Sequence, residues 1–300
     1  MIGIIGPTAS GKTSLAVAIA AKIGGEIISA DSRQVYIGMD IGTGKDIAEF
    51  TFKGKSIPYH LIDIKDPGYE YNVFEYQEDF FKAYDDILNR NAQPILCGGS
   101  GMYIEAVLKG YKLIKVPTNT PLRNRLADNT DDELVEILNA LKSLHNKSDT
   151  SNRDRLLRAI EIELYYKEHE NDKEQQLPKI DHKLFAIHFE RPELKERITY
   201  RLKERLKNGM VEEVEGLLNK GITADQLKFY GLEYKFLSQY VLGEINYNDM
   251  YQKLNSAIHQ FAKRQMTWFR RMEKNGIHIE WIPGAYSLDE KVGYILSRLK

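Results

Sequence analysis

Met1-Ile2-Gly3-Ile4-Ile5-Gly6-Pro7-Thr8-Ala9-Ser10-Gly11-Lys12-Thr13-Ser14 decides how this chain folds. A short apolar run leads into Gly-x-x-x-x-Gly-Lys-Thr, and a helical pattern follows. Gly6 and Gly11 carry no Cβ, so the backbone between them can turn its N–H groups into one concavity. A helix starting near Thr13 aims its unpaired N–H groups and positive dipole end at the same place. Lys12 adds a mobile positive charge, and the Thr13 hydroxyl is placed to ligate Mg²⁺. The pattern predicts a strand, a phosphate loop and a helix. Gly6, Thr8, Ala9, Ser10, Gly11, Lys12 and Thr13 would cradle a polyphosphate or diphosphate. The alternative is a glycine-rich turn that binds nothing, but strand, loop and helix stand in the order that phosphate binding requires. ATP-binding and other nucleotide-binding proteins share the loop, which does not say which phosphate it holds.

Outward from the loop, strands and helices alternate. Helix Thr13–Ile23 stops at Gly24-Gly25, and Glu26–Ser29 is a strand ending at Ala30-Asp31-Ser32. Tyr59–Asp63 is a third apolar segment, Val73–Leu88 a helix and Pro94–Cys97 a buried strand. Gly98-Gly99-Ser100-Gly101 and a short helix, Tyr103–Leu108, follow. Such alternation predicts an α/β fold with a parallel sheet flanked by helices. Ligands on these sheets sit beyond the carboxyl ends of the strands. The phosphate loop, Asp31-Ser32 and Gly98-Gly99-Ser100 should therefore converge on one crevice.

After about Pro117 the pattern becomes helical and polar. Thr130-x-x-Glu133 is a capping box opening a helix to Leu144, and Arg153–His169 is a second helix. Glu170–Lys179 reads as a charged loop, and Leu184–Phe189 returns to a strand pattern. These features predict an all-helical insertion at 118–183 in an α/β core made of 1–117 and 184–300. Long helices follow at Glu193–Asn208, Val211–Leu218 and Asn248–Met272, with a last short strand at His278–Trp281.

Composition sets limits. The chain has 300 residues, 42% hydrophobic and 28% charged, with a formal net charge of −1 and a pI near 6.7. A nucleic-acid partner would have to bind a local basic patch, since the overall charge is neutral. Cys97 is the only cysteine, which excludes a disulfide framework and a multi-cysteine zinc site. The apolar start is too short for a signal peptide, and no apolar run approaches the roughly 20 residues of a membrane span. A soluble, cytoplasmic protein is expected.

Asp31, just after a strand and inside the crevice, could accept a proton or ligate Mg²⁺ through water. It could equally cap the next turn. Asp40 and Asp63 are further candidate carboxylates with loop or strand-end roles as alternatives. Arg197, Arg201 and Arg205 line one helix face at a spacing of four. They could bind phosphate, but the residues alone favour a solvated face paired with Glu193, Glu196 and Glu204. Arg153, Arg155 and Arg158 form a second basic cluster, and Lys263, Arg264, Arg270 and Arg271 a third. Trp268 and Phe269 lie in the third cluster. Basic residues among aromatics suit unstacked bases, although both rings also fit the core face of an amphipathic helix.

Several motifs together resemble the tRNA isopentenyltransferase family. In order they are the phosphate loop, Asp31-Ser32-Arg33-Gln34-Val35-Tyr36, Gly38-Met39-Asp40-Ile41-Gly42-Thr43-Gly44-Lys45, and Tyr59-His60-Leu61-Ile62-Asp63 with Asp66-Pro67. Gly98-Gly99-Ser100-Gly101-Met102-Tyr103 and Ala262-Lys263-Arg264-Gln265-Met266-Thr267-Trp268-Phe269-Arg270 complete the set. The resemblance implies transfer of a dimethylallyl group from dimethylallyl diphosphate to N6 of the tRNA adenosine 3′ of the anticodon, position 37, in tRNAs reading UNN. Diphosphate is released, Mg²⁺ is the cofactor, and the loop serves a prenyl donor in place of ATP.

On this resemblance Asp31 is the general base, and Arg201, Ser100 and Lys12 assist at the diphosphate. Thr13 holds the metal. Asp31, Ser32, Arg33, Gln34 and Ser100 meet the flipped base. Arg123, Asp154, Arg155, Arg158, Lys263 and Arg264 meet the anticodon stem-loop. The enzyme is expected to be a monomer without a membrane partner. Two departures stand: Lys228-Phe229-Tyr230-Gly231-Leu232-Glu233, where the family usually has an Ala-Ile-Gly-Tyr-type segment and only Gly231 is clearly retained, and a short insertion in which Glu170–Lys179 does not match the usual pattern. Three other functions fit parts of the pattern. A small-molecule kinase would use the loop for ATP, and an adenylate isopentenyltransferase would not need the basic insertion. An RNA-binding protein with a vestigial loop would not need Lys12, Thr13 and Asp31 intact.

Overall fold

The computed structural model describes residues 1–141, 152–169 and 177–299. They divide into two compact units, Met1–Lys109 with Lys179–Lys300, and Gly110–Pro178. The sequence reading set the second unit at 118–183.

The first unit is built on strands β1 (Ile2–Ile5), β2 (Gly25–Ala30), β3 (Thr51–Phe52), β4 (Lys55–Ser56), β5 (Tyr59–His60), β6 (Gln93–Gly98), β7 (Lys183–His188) and β8 (Glu280–Pro283). Six of them form one sheet in the order β5-β2-β6-β1-β7-β8, and every pairing in it is parallel. β1 and β2 are buried at every position, as expected of strands covered on both faces. The third segment is shorter than its apolar run suggests. Leu61 and Asp63 take left-handed backbone conformations, with φ 61° and 55°, so pairing ends at His60. β3 and β4 make a small separate antiparallel pair.

Helices α1 (Lys12–Ile23), α2 (Val73–Asn89) and α3 (Gly101–Leu108) follow their strands; in the second unit lie α4 (Thr120–Arg125), α5 (Asp131–Leu141) and α6 (Arg153–Glu168). The first unit resumes with α7 (Arg191–Lys207), α8 (Met210–Asn219), α9 (Ala224–Phe229), α10 (Leu232–Val241), α11 (Tyr247–Lys274) and α12 (Leu288–Leu299). On α11, Met250, Leu254, Ile258, Ala262, Gln265, Phe269 and Met272 are buried along one face, the stripe expected of a helix laid on a core. Phe269 is thus a core residue, and Gln265 is a polar member of the stripe.

The helical unit packs Leu122, Leu134, Leu138, Leu156, Leu157, Ala159 and Ile160 together. The Thr130 box forms, with the Thr130 N–H donating to Glu133 at 2.7 Å and the Glu133 N–H to Thr130 Oγ1 at 3.3 Å. The end of that helix near Leu144, and most of the expected Glu170–Lys179 loop, lie outside the described residues. No helix among the described residues is long and apolar enough to cross a membrane.

Candidate active site at the strand ends

Three strands deliver the chemistry from their carboxyl ends. β1 runs into the phosphate loop, β2 into Asp31-Ser32, and β6 into Gly99-Ser100. The loop turns through two left-handed residues, Ala9 at φ 61° and Gly11 at φ 81°. Two outside groups hold this shape. The Thr8 N–H donates to Gln265 Oε1 at 2.9 Å, and Arg197 Nε donates to the Ala9 carbonyl at 3.0 Å. Ser10 Oγ is buried without a hydrogen-bond partner. An orphaned hydroxyl inside such a loop fits an anion that would accept from it. The Thr8 N–H already has an acceptor within the protein, as does the Ser10 N–H, which donates to the Pro7 carbonyl at 3.3 Å.

Lys12, Thr13, Asp31, Gln34, Phe50 and Cys97 line one small cavity with Ile27, Ser29 and Gly98. Burial pushes the Lys12 ammonium below its ordinary value, while Asp31 pulls it back up. Burial lifts the Cys97 thiol to about 12, so it is an inert wall. Asp31 is half-buried, and its Oδ1 accepts the Arg33 N–H at 3.0 Å. The turn reading and the acid–base reading are therefore compatible: one oxygen caps the turn and the other is left to act.

Ser100 is fastened to this turn. Its Oγ accepts the Ser32 N–H at 3.0 Å, and its own N–H donates to the Ala30 carbonyl at 3.1 Å. Gln34 Oε1 accepts from Ser29 Oγ at 3.1 Å, and Gln34 Nε2 donates to the Gly44 carbonyl at 3.4 Å. Arg33 lies 5.3 Å from the Phe229 ring centroid, which brings the divergent 228–233 segment to the rim of the site.

The arginine stripe on α7 is solvated only in part: Arg197 is exposed, although its Nε reaches the Ala9 carbonyl. Arg201 and Arg205 are half-buried, and Arg201 donates to the Gly44 carbonyl at 3.3 Å. Glu204 pairs instead with Lys207 at 2.9 Å. Burial lowers the Arg201 pKa against the pull of Glu49, Glu233, Asp31 and Asp46. Burial and the Arg201 charge bring Arg205 down to about 10. Gly44, at φ 71°, passes so close to both guanidiniums that a Cβ there would collide with them. Two carboxylates that sequence reasoning passed over, Glu49 and Glu233, face these cations, and burial raises both of their pKa values.

Asp40 and Asp63 do other work. Both bind the ammonium of Lys45, which also donates to the Tyr36 carbonyl at 2.9 Å. Glu213 accepts the N–H groups of Asp40, Ile41 and Gly42 at 2.8, 2.7 and 3.0 Å, with Tyr234 donating to it at 2.7 Å. The segment that presents the Gly44 carbonyl is thus a braced loop.

The basic clusters separate on inspection. In the helical unit, Glu161 accepts two hydrogen bonds from Arg123, at 2.7 and 3.1 Å, one from Arg158 at 3.1 Å and one from the Asn119 N–H at 3.0 Å. Burial would raise the Glu161 carboxyl, but these donors outweigh it and hold it below the usual range. Arg153 caps the carbonyls of Leu126, Ala127 and Asn129. Asp154 is exposed in the first turn of α6, and Arg155 is exposed beside it. Lys263 and Arg264 are exposed on α11. Trp268 lies against Gly101, donates to Glu105 at 3.0 Å and carries the Arg271 guanidinium 3.9 Å from its ring centroid. Its indole is thereby engaged within the fold.

The IPP transferase family model matches residues 34–272, and the isopentenyl transferase model matches 1–57. A Bacteroides fragilis protein named tRNA dimethylallyltransferase 2 is 52% identical over 300 residues, covering 100% of this chain and 98% of its own. A Parabacteroides distasonis protein named tRNA dimethylallyltransferase 1 is 55% identical over 292 residues, covering 97% and 95%. The crystal structure of a tRNA isopentenylpyrophosphate transferase from Staphylococcus epidermidis superposes with a TM-score of 0.71 at 32% identity, covering 99% of this chain and 97% of that one. Matches of this length and identity, together with the fold and the converging strand ends, place the chain in the IPP transferase family.

Proposed function

We propose that this enzyme transfers the dimethylallyl group of dimethylallyl diphosphate to N6 of the tRNA adenosine immediately 3′ of the anticodon, position 37, in tRNAs reading UNN. The observation that carries the reading is that Lys12, Thr13 and Asp31 line one cavity. A diphosphate held by the loop would then lie beside a free carboxylate oxygen. The N6–C1 bond forms as the C1–O bond breaks. The bonding pair leaves with diphosphate, and the N6 proton passes to Asp31.

Charge growing on the leaving diphosphate is met by Lys12 and the loop N–H groups on one side and Arg201 on the other. Thr13 Oγ1 is the donor this chain would offer Mg²⁺. Among the described residues no cluster of three carboxylate, histidine or cysteine side chains could cage a metal. A lone hydroxyl suits Mg²⁺ shared with phosphate oxygens and water. When bound, the ion would neutralise diphosphate charge. The target base is stacked in the anticodon loop and must be flipped out, with Arg33 at the rim to meet it.

The test is a transfer assay with labelled dimethylallyl diphosphate, Mg²⁺ and a UNN-reading tRNA, with AMP and ATP in parallel reactions. Label in tRNA upholds the proposal. Label only in AMP moves the acceptor to free nucleotide, and ATP turnover without prenyl transfer reassigns the loop to a kinase. Arg201→Ala is expected to lower the transfer rate by about 10²–10³-fold, the usual cost of one donor to a developing oxyanion; a rate within threefold of wild type would remove Arg201 from the chemistry. Binding of tRNA should weaken steeply with salt. Neutralising six phosphates would cost on the order of 10³-fold between 50 and 200 mM, and a flat dependence would contradict a basic docking face.

A further inference from the structure

Gln265 belongs to the motif that the resemblance gave to tRNA, yet its neighbours in that motif point elsewhere. Lys263 and Arg264 are exposed, whereas Gln265 is 7% exposed. Its amide lies between the two halves of the site. Oε1 accepts the Thr8 N–H of the phosphate loop at 2.9 Å, and Nε2 donates to the Gly99 carbonyl at 3.0 Å. Only one orientation of the amide satisfies both bonds. Gly99 leaves the room for it, since a Cβ there would stand 2.5 Å from Nε2 and 3.0 Å from the Gly6 carbonyl. The helix carrying Gln265 is itself anchored to α3, where Trp268 and Arg271 both donate to Glu105 Oε2 at 3.0 and 2.9 Å. One residue beyond Gly99, Ser100 holds the Asp31-Ser32 turn through the Ser32 N–H.

We propose that Gln265 is a positioning residue that couples the phosphate loop to the Ser100–Asp31 side, so that filling the loop sets the geometry of the proton-accepting side. This rests on the transfer reaction proposed above. The path runs from Thr8 through the amide to Gly99, then from Ser100 to Ser32 and Asp31. Every link in it is a hydrogen bond of 2.9–3.0 Å or a peptide neighbour. Thr8 N–H contributes to the loop by locking it.

Two substitutions separate the bonds. Gln265→Glu keeps an acceptor for Thr8 but turns an oxygen toward the Gly99 carbonyl. Gln265→Met removes both bonds at similar volume. Hydrogen exchange is read with and without inorganic diphosphate and Mg²⁺, alongside kcat, KM for both substrates and thermal unfolding. In wild type, diphosphate is expected to slow exchange at 6–13 and also at 99–104. Gln265→Glu should keep the first protection and lose the second, with kcat down at least tenfold and KM for the donor within threefold of wild type. Gln265→Met should lose the second protection and also raise the donor KM. If the second protection persists in both variants with wild-type kcat, the coupling is overturned. Variants that merely lose fold would lower the unfolding temperature and weaken both protections together, which also overturns it. A wild type that shows coupled protection but no transfer to tRNA sinks the proposed reaction and leaves the coupling standing.

Discussion

Asp31→Asn is expected to lower the single-turnover rate of prenyl transfer by about 10²–10⁴-fold, the range for losing a positioned general base. The exocyclic amine of adenine is a poor nucleophile because its lone pair is delocalised into the ring. Attack on C1 must therefore be accompanied by loss of a proton, and Asp31 is the carboxylate lining the cavity that also holds Lys12 and Thr13. Asparagine is the informative replacement. Its amide oxygen can still accept the Arg33 N–H, now taken by Asp31 Oδ1 at 3.0 Å, so the turn survives while the proton acceptor is lost. The Lys12 ammonium also loses one of the charges that favour it, so a modest rise in the donor KM should accompany the larger fall in rate. The readout is a rapid-quench time course with saturating donor and tRNA, with unfolding temperature as the control for fold. A rate within a few-fold of wild type would place the base elsewhere.

Much of this site was legible because its signals are local. Gly6 to Thr13 sets a strand, a loop and a helix within fourteen residues of the start, and Asp31 and Gly98-Gly99-Ser100 follow their strands directly. What could not be read was partnership across the chain. Thr8 and Gln265 are 257 positions apart, and Glu213 meets its backbone nest across 171–173. Charge type was visible without its use. The arginines of α7 read as solvated, since nothing local says that a carbonyl at Gly44 and the phosphate loop lie across from them. Arg123 and Arg158 read as free basic residues, and their partner Glu161 carried no special spacing. Three helices at the carboxyl side were missed, α9, α10 and α12. For α12 a signal existed in the capping box of Ser287 and Glu290, whose reciprocal bonds are 2.7 and 3.3 Å. For α10 the glycine before it, at φ 133°, obscured the start.

The braced loop under Arg201 leads to the second large effect, on stability. The Lys45 side chain is fully buried, while its partners Asp40 and Asp63 are 54% and 34% exposed. Removing the cation and removing the anions are therefore unequal. Lys45→Met deletes charged hydrogen bonds but leaves carboxylates that water can reach, which should cost about 1.5–3 kcal/mol. Neutralising both partners in the Asp40→Asn, Asp63→Asn variant leaves an ammonium that water cannot reach with the Tyr36 carbonyl and amide oxygens around it but no countercharge. That arrangement costs about 3–5 kcal/mol. Asparagine tolerates the left-handed backbone at Asp63, φ 55°, so strain does not confuse the comparison. Urea denaturation of the two variants should rank the double anion variant as the less stable, and adding Lys45→Met to it should restore stability by removing the stranded charge. The same background should partly recover transfer activity, because the loop carries the Gly44 carbonyl that Arg201 and Gln34 share. If Lys45→Met proved the more damaging change, or failed to rescue the double variant, the buried cation would not be what holds this loop. The brace would then rest on Glu213 and the Tyr234 hydroxyl.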